Sequence, residues 1–292
     1  MTPVGIVVLA YGHEAVHEDL VEQLLASAVS PRDVVVVHNP SASDPGAMPR
    51  TGDVDVVEMA TNAGYAGGMN AGVLHHLARG CSHVLLLTQD TRFEPGALGP
   101  LLDAAPTEFG VLGPVLRWDA QITCYGGIAE GGGRVDLNRA APSRGGPGIV
   151  DCDWIDGSAM LVRREVFDAV GVLDERFFMY FEDSELCLRA SRAGFRIGVV
   201  LDSVASQDHG YSRRPALYAY LMTRNGLEYA RRAAGWNGLA MAATRTLLSI
   251  RRTSVSPTLR GLADFALGRF GAPPADLLLP PRPGRYRKAI AA

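Results

Sequence analysis

Unbroken apolar runs alternate with amphipathic ones along the first third of the chain. VGIVVLA (4–10), DVVVVHN (33–39), VDVVEM (54–59) and HVLLLTQD (83–90) are runs of the first kind. Strands buried on both faces of a sheet read this way, because neither side of the strand meets water. HEDLVEQLLASA (17–28) places Leu20, Leu24 and Ala28 at helical spacing, with Pro31 beyond its end, and GGMNAGVLHHLARG (67–80) predicts a second helix closed by Gly80. Strands alternating with helices over residues 1–90 predict a parallel α/β sheet, whose ligands bind at the carboxyl ends of the strands. Tyr11, Asn39, Asn62 and Asp90 fall at those ends.

The pattern then changes. FGVLGPVLRW, ITCYGGIAEGGGRVDLN and APSRGGPG are short strand candidates broken by glycine-rich turns, and 131–148 reads as a mobile loop or a hairpin. SAMLVRREVFDAVG (158–171) and SELCLRASRAG (184–194) predict helices closed by Gly171 and Gly194, and FRIGVVL (195–201) predicts a strand. From Ala216 onward the chain reads as helices, ending in the proline-rich LLLPPRPGRYRK. The start, MTPVGIVVLAYGHEAVHED, lacks a basic n-region and reads as a first buried strand, not a secretory leader. No apolar run reaches the roughly 18 residues of a membrane span.

Composition adds three constraints. The 292 residues are enough for one large domain or two small ones. Cys81, Cys124, Cys152 and Cys187 are dispersed without CxxC spacing, which argues against structural zinc and for reduced thiols. Lys288 is the single lysine among 28 basic residues, as expected of a GC-rich bacterial genome. The net charge of −3 hides an asymmetry: residues from Tyr211 onward hold 14 basic and 3 acidic side chains, the rest 14 and 28. Such a tail suits phosphates or an anionic membrane surface, and equally suits a solvated helical surface docked on an acidic body.

Four groups of residues could carry chemistry. Asp90 ends an apolar strand in LLLTQDTRFEPGAL, where a carboxylate can hold a divalent cation on a diphosphate or simply open a turn. TNAGYAGGMNAG (61–72) leads four glycines into a helix. Close backbone approach there suits a phosphate or ribose, or only a tight turn; the pattern matches neither GxGxxG nor a P-loop. Glu182 and Asp183 follow FFMYF and precede a helix. Asp183 can cap that helix, and two adjacent carboxyls beside apolar surface also raise at least one pKa, as a proton acceptor requires. His209, in SQDHGYSRR, is a metal ligand or a structural histidine.

In this order, NAGYAGGMNAG, LLLTQDTRFEPGAL, DWIDGSAMLVRREVFDAVGVLDERFFMYFEDSELCLRASRAG, DHGYS and YLMTRN resemble the inverting glycosyltransferases of family 2, with their GT-A fold, and most closely the bacterial rhamnosyltransferase-like branch. The resemblance spans residues 4–232. It implies a catalytic domain over 1–235, its nucleotide-sugar half about 1–110 and its acceptor half about 111–235, followed by a basic helical extension over 236–292. By that resemblance Asp183 is the general base and Glu182 its neighbour at the acceptor. Tyr11, Asn39, Asn62, Gly64, Asn70, Gln89, Asp90 and Arg224 (with Asn225) serve the nucleotide-sugar donor. Gly157, Ser158 and Glu182 border the acceptor, and Asp90 and His209 hold Mg2+ or Mn2+.

The implied donor is a dTDP- or UDP-sugar. The acceptor is a saccharide, a lipid-linked glycan or a small natural product, and no nucleic acid is a partner. A cytoplasmic location follows, with peripheral contact at the inner membrane face, or a homodimer, through the basic extension. The chain departs from the family pattern at Thr88, where a first acidic residue is usual, and at His38 in HNPS, where Asp is usual. Those departures keep open an inactive nucleotide-sugar-binding protein. A Rossmann-type oxidoreductase would need a dinucleotide fingerprint that is missing.

Overall fold

The computed structural model describes residues 3–12, 16–27, 29–41, 53–118, 122–136, 148–207, 214–249 and 255–278. Strands β1 (Val4–Tyr11), β2 (Val34–Asn39), β3 (Asp55–Glu58) and β4 (His83–Thr88) pair in parallel in the order β3-β2-β1-β4. The apolar runs put Val34–Val37 and Val84–Leu87 in the core, covered on both faces. Helices α1 (Val16–Ala26) and α2 (Gly64–Ala78) connect them. α2 lies close on the sheet because it is glycine-rich: a Cβ at Gly68 would sit 2.5 Å from Leu9, and one at Gly72 2.4 Å from Val7. Part of the glycine pattern is therefore explained by helix–sheet packing.

Beyond β4 come β5 (Thr91–Phe93), α3 (Leu98–Asp103), β6 (Phe109–Trp118), β7 (Ile122–Cys124), the hairpin β8 (Gly127–Glu130) with β9 (Gly133–Asp136), and β10 (Ile149–Asp151). β11 (Ala159–Arg163) then leads into α4 (Arg164–Val170). This corrects the single helix expected over 158–171. Ala159–Val162 is an unbroken apolar run inserted between β4 and β6, antiparallel to both and buried, and sheet pairing on two sides outweighs the helical pattern of the residues that follow. α5 (Glu182–Arg192) starts two residues earlier than its predicted span, so Glu182 and Asp183 lie in its first turn. β12 (Arg196–Gln207) runs past its predicted end, through a register shift between Val200 and Val204, and parallels β6.

α6 (Pro215–Ser249) is two helices joined at a kink, Ala234 (φ −136°, ψ 22°) and Gly235 (φ 61°, ψ −145°). α7 (Val255–Ala266) folds back on the first of them, where a Cβ at Gly261 would meet the Tyr220 carbonyl, and α8 (Ala275–Leu278) follows. The sheet is mixed, in the order β10-β12-β6-β11-β4-β1-β2-β3. Its directions bring the ends of β1, β2, β4, β6 and β12 and the start of β11 to one edge. Tyr11, Asn39, Thr88 and Gln207 end their strands there, and Gly157–Ser158 enters there.

Candidate active site

FFMYF (177–181) is a backbone turn held under strain. Phe178, Tyr180 and Phe181 have φ of 64°, 71° and 74°, the only non-glycine residues with positive φ among the described residues. Each such conformation costs about 1–3 kcal/mol and persists only where its surroundings over-determine it. Here the surroundings are explicit. Asn225 Nδ2 donates to the carbonyls of Phe177 (2.8 Å), Met179 (2.9 Å) and Tyr180 (3.0 Å), and Arg224 Nη2 donates to Phe177 (3.3 Å). Ala66 N–H donates to the Phe178 carbonyl, and Gly64, at φ 73°, passes so close that a Cβ would lie 2.3 Å from that oxygen. Phe181 enters α5 in the left-handed conformation, so the helix begins at Glu182 without a side-chain cap. The capping role open to Asp183 is therefore not the one it plays.

Asp183 instead turns its carboxylate toward the 156–158 loop. Its Oδ2 accepts from Gly157 N–H (3.1 Å); its Oδ1 accepts from Ser184 N–H, from Ser184 Oγ (3.0 Å) and from Arg134 Nη1 (3.4 Å). Both oxygens thus accept hydrogen bonds. Arg134 reaches across from β9 with its guanidinium 4.2 Å from the Phe181 ring and 4.9 Å from the Trp154 ring. Burial opposes its charge, but Asp183, Asp156 and Glu182 more than compensate and raise its pKa.

The neighbouring carboxyls behave differently. Glu182 is only 4% exposed and its Oε2 has no partner among the described residues. Burial first, and the Asp183 charge second, hold its pKa well above the ordinary glutamate value, so it keeps its proton more tightly than a free glutamate does. Asp156 is raised for the same two reasons. Tyr65 is raised by burial and by these three carboxyls, so it stays a phenol and donates to the Gly157 carbonyl. Two acids made harder to ionise thus flank the donor-bound Asp183 carboxyl, and such differences of environment sort acid from base in active sites.

A hydrogen-bonded line connects this group to Asp90. Ser158 N–H donates to Asp156 Oδ1 (2.9 Å), and Ser158 Oγ lies within reach of Asp156 and of Gln207 Oε1 (2.8 Å). Gln207 Nε2 in turn points at Asp90 Oδ1 (3.4 Å) and Thr88 Oγ1 (3.5 Å), while Thr91 Oγ1 donates to the Ser158 carbonyl (2.9 Å). Asp90, Ser158, Gly157, Glu182 and Asp183 are thus gathered in one place.

Other expected site residues brace it. Gln89 Oε1 accepts from Tyr11 N–H (2.9 Å), and Arg214 Nη1 donates to the Tyr11 hydroxyl (3.1 Å). Asn39 is buried, donates to Asn62 Oδ1 (3.1 Å) and the Gly64 carbonyl (3.0 Å), and accepts from Ala63 N–H (2.9 Å). His38 pairs with Glu58 (2.6 Å). Asn70 ties α2 to Leu173 and Glu175. Arg224 is 1% exposed and sits behind the strained turn with Tyr220 and Asn225. Asn70 and Arg224 are thus not gathered with Asp90 and Asp183 in this structure. His209 lies outside the described residues. Sequence reading missed Asp156, Arg134, Tyr65 and Gln207. The only signal for Asp156 was its place beside Gly157 in WIDGSAM, which reads as an ordinary turn.

Comparison with known proteins gives the family and the fold. The model of the family described as "Glycosyltransferase like family 2" matches residues 2–227. The low-salt glycan biosynthesis hexosyltransferase Agl10 of Haloferax volcanii is 28% identical over 216 residues, covering 71% of this chain and 70% of the relative. The N-acetylglucosaminyl-diphospho-decaprenol L-rhamnosyltransferase of Mycobacterium tuberculosis is 28% identical over 265 residues, 79% of this chain and 85% of the relative. Among solved structures, GalNAc-T7 with UDP, GalNAc and Mn2+ superposes with a TM-score of 0.55 at 11% identity. That match covers 94% of this chain, which spans 59% of GalNAc-T7, and it places the fold among GT-A transferases.

Proposed function

Since the chain belongs to glycosyltransferase-like family 2, we propose that this glycosyltransferase inverts the anomeric centre of a nucleoside-diphosphate sugar, with Asp183 as general base. The observation that carries the reading is the line from Asp183 through Gly157, Ser158 and Gln207 to Asp90. That line supports reading Asp183 as proton acceptor and Asp90 as diphosphate-side carboxylate at one sheet edge. In an inverting transfer the acceptor hydroxyl attacks the anomeric carbon opposite the departing diphosphate. The hydroxyl proton passes to a carboxylate within hydrogen-bond reach as the new bond forms. Asp183 suits that task, because Gly157, Ser184 and Arg134 hold the carboxylate in place. Glu182, whose proton is held tightly by burial, is suited to donate to an acceptor oxygen.

At the donor end, Tyr11, Asn62 and Gln89 form the wall for base and ribose, with Asn39 and Gly64 shaping it. Asp90 fits a hard cation such as Mg2+ or Mn2+: it offers carboxylate oxygen, and only the long Gln207 contact engages it among the described residues. His209 would complete the set with diphosphate oxygens and water. Among the described residues no cluster of three or more His, Cys, Asp or Glu could hold an ion alone. The bound cation would neutralise charge on the leaving diphosphate. Arg224 and Asn225 act one layer back, by fixing the turn that presents Glu182 and Asp183.

The relative named as an N-acetylglucosaminyl-diphospho-decaprenol L-rhamnosyltransferase supports a deoxyhexose as the sugar transferred and a lipid-linked saccharide as acceptor; the donor we read as a dTDP- or UDP-sugar. Incubating the protein with dTDP-rhamnose or UDP-sugars, a diphospholipid-linked acceptor and Mg2+ or Mn2+ tests this. A product with inverted anomeric configuration by NMR is expected. Binding of nucleotide sugars without any transfer or hydrolysis would point to the inactive binding protein instead.

A further inference from the structure

α7 has its amphipathicity reversed. The side turned inward onto α6 carries Thr258, 2% exposed, Gly261 and Asp264, 8% exposed. The side turned outward carries Val255 at 51% and Leu259 at 50%, and Leu267 just past the helix end is also exposed. Val255, Leu259 and Ala263 recur at four-residue spacing and so form one stripe. The second part of α6 repeats the feature. Trp236 is 82% exposed and Leu248 76%, and Leu247 falls within about 20° of Trp236 around the helix at 3.6 residues per turn. Of the ten large apolar side chains exposed among the described residues, seven lie in 236–267, and Ile128 and Val135 belong to the hairpin that α6 touches at Gly132 and Gly238. Such a concentration marks an interaction surface.

Charge selects the partner. From Trp236 to the end the sequence has nine basic and two acidic residues, whereas the first 235 have 19 basic and 29 acidic. Two copies meeting through their C-terminal segments would bring like charges together. A lipid bilayer with anionic headgroups complements the charge of that segment and repels that of the rest of the chain. Tryptophan suits the interface between headgroups and acyl chains. No helix of the described residues is long and apolar enough to cross a membrane. We propose that the outward faces of α6 beyond Gly235 and of α7 dock this protein on an anionic membrane surface. The β8–β9 hairpin then stands between that surface and Asp183, since its Gly131–Gly133 turn abuts Met241 and Arg245 while Arg134 reaches the carboxylate.

The test needs no turnover, so it stands or falls apart from the transfer reaction. The full chain is sedimented with vesicles of phosphatidylcholine alone or mixed with phosphatidylglycerol. Retention on the anionic vesicles is expected, several-fold above that on neutral ones. Replacing Trp236, Leu248, Leu259 and Leu267 together by Ser should lower it by about ten-fold or more. These side chains are exposed, so an unchanged melting temperature confirms that the variant is folded. Singly, Trp236→Phe should abolish quenching of tryptophan emission by brominated lipid. Absence of retention on anionic vesicles, equal retention of the folded quadruple variant, or a stable dimer in light scattering that the same substitutions dissociate would each overturn the proposal.

Discussion

At the scale of the residue, the adjacent acids Glu182 and Asp183 are separated by their partners and not by their chemistry. Asp183 meets N–H, O–H and guanidinium donors, while Glu182 meets apolar surface and its neighbour's charge. The raised Glu182 pKa has a thermodynamic consequence. The native state keeps a proton that the unfolded chain releases above the ordinary value of 4.5, so stability falls as pH rises beyond that value and is unaffected well below it. Glu182→Gln does not titrate. Its melting temperature should therefore gain on the parent as pH rises above about 5; a gap that is flat with pH would mean that Glu182 ionises freely. The paired carboxyls and their apolar lead-in were legible in the sequence. Asp156 and Arg134 were not, because only the folded chain brings a loop before β11 and a hairpin arginine to α5.

At the scale of the element, the turn 177–181 connects the cores on either side of it. Three left-handed residues are an improbable local choice for Phe and Tyr, and no local pattern announces them. They persist because Asn225, one residue of a helix distant in sequence, satisfies three carbonyls at once. Asn225→Ala should cost about 2–4 kcal/mol in urea unfolding, and should lower transfer beyond what the lost stability explains. A loss under about 0.5 kcal/mol would show that the turn holds itself. The same scale shows where sequence periodicity misleads. Ser158–Gly171 contains a true helix, but Ala159–Val162 inside it pairs with strands on both sides, and pairing overrides the pattern. By contrast, β1, β2 and β4 were legible outright, since a run buried on both faces leaves little alternative; β3 also forms, but as the half-exposed edge strand and not the buried one expected.

At the scale of the molecule, strand direction makes the site. Inserting β11 antiparallel between β4 and β6 delivers Gly157 and Ser158 to the edge where Thr88, Gln89 and Asp90 emerge, and the β12 end supplies Gln207 between them. The groups proposed to face donor and acceptor thus share one hydrogen-bonded frame. Asp90→Ala should weaken nucleoside-diphosphate affinity by at least about ten-fold when Mg2+ or Mn2+ is present, and leave metal-free affinity unchanged in calorimetry; equal affinities with metal would move the cation elsewhere. The frame also predicts that the two ends fail separately. The most direct measurement is transfer and nucleotide binding in Asp183→Asn, which keeps the side-chain shape and removes the proposed base. Transfer lowered by about 10²–10⁴-fold with nucleotide affinity retained is the expected result, and near-parental turnover would contradict the account.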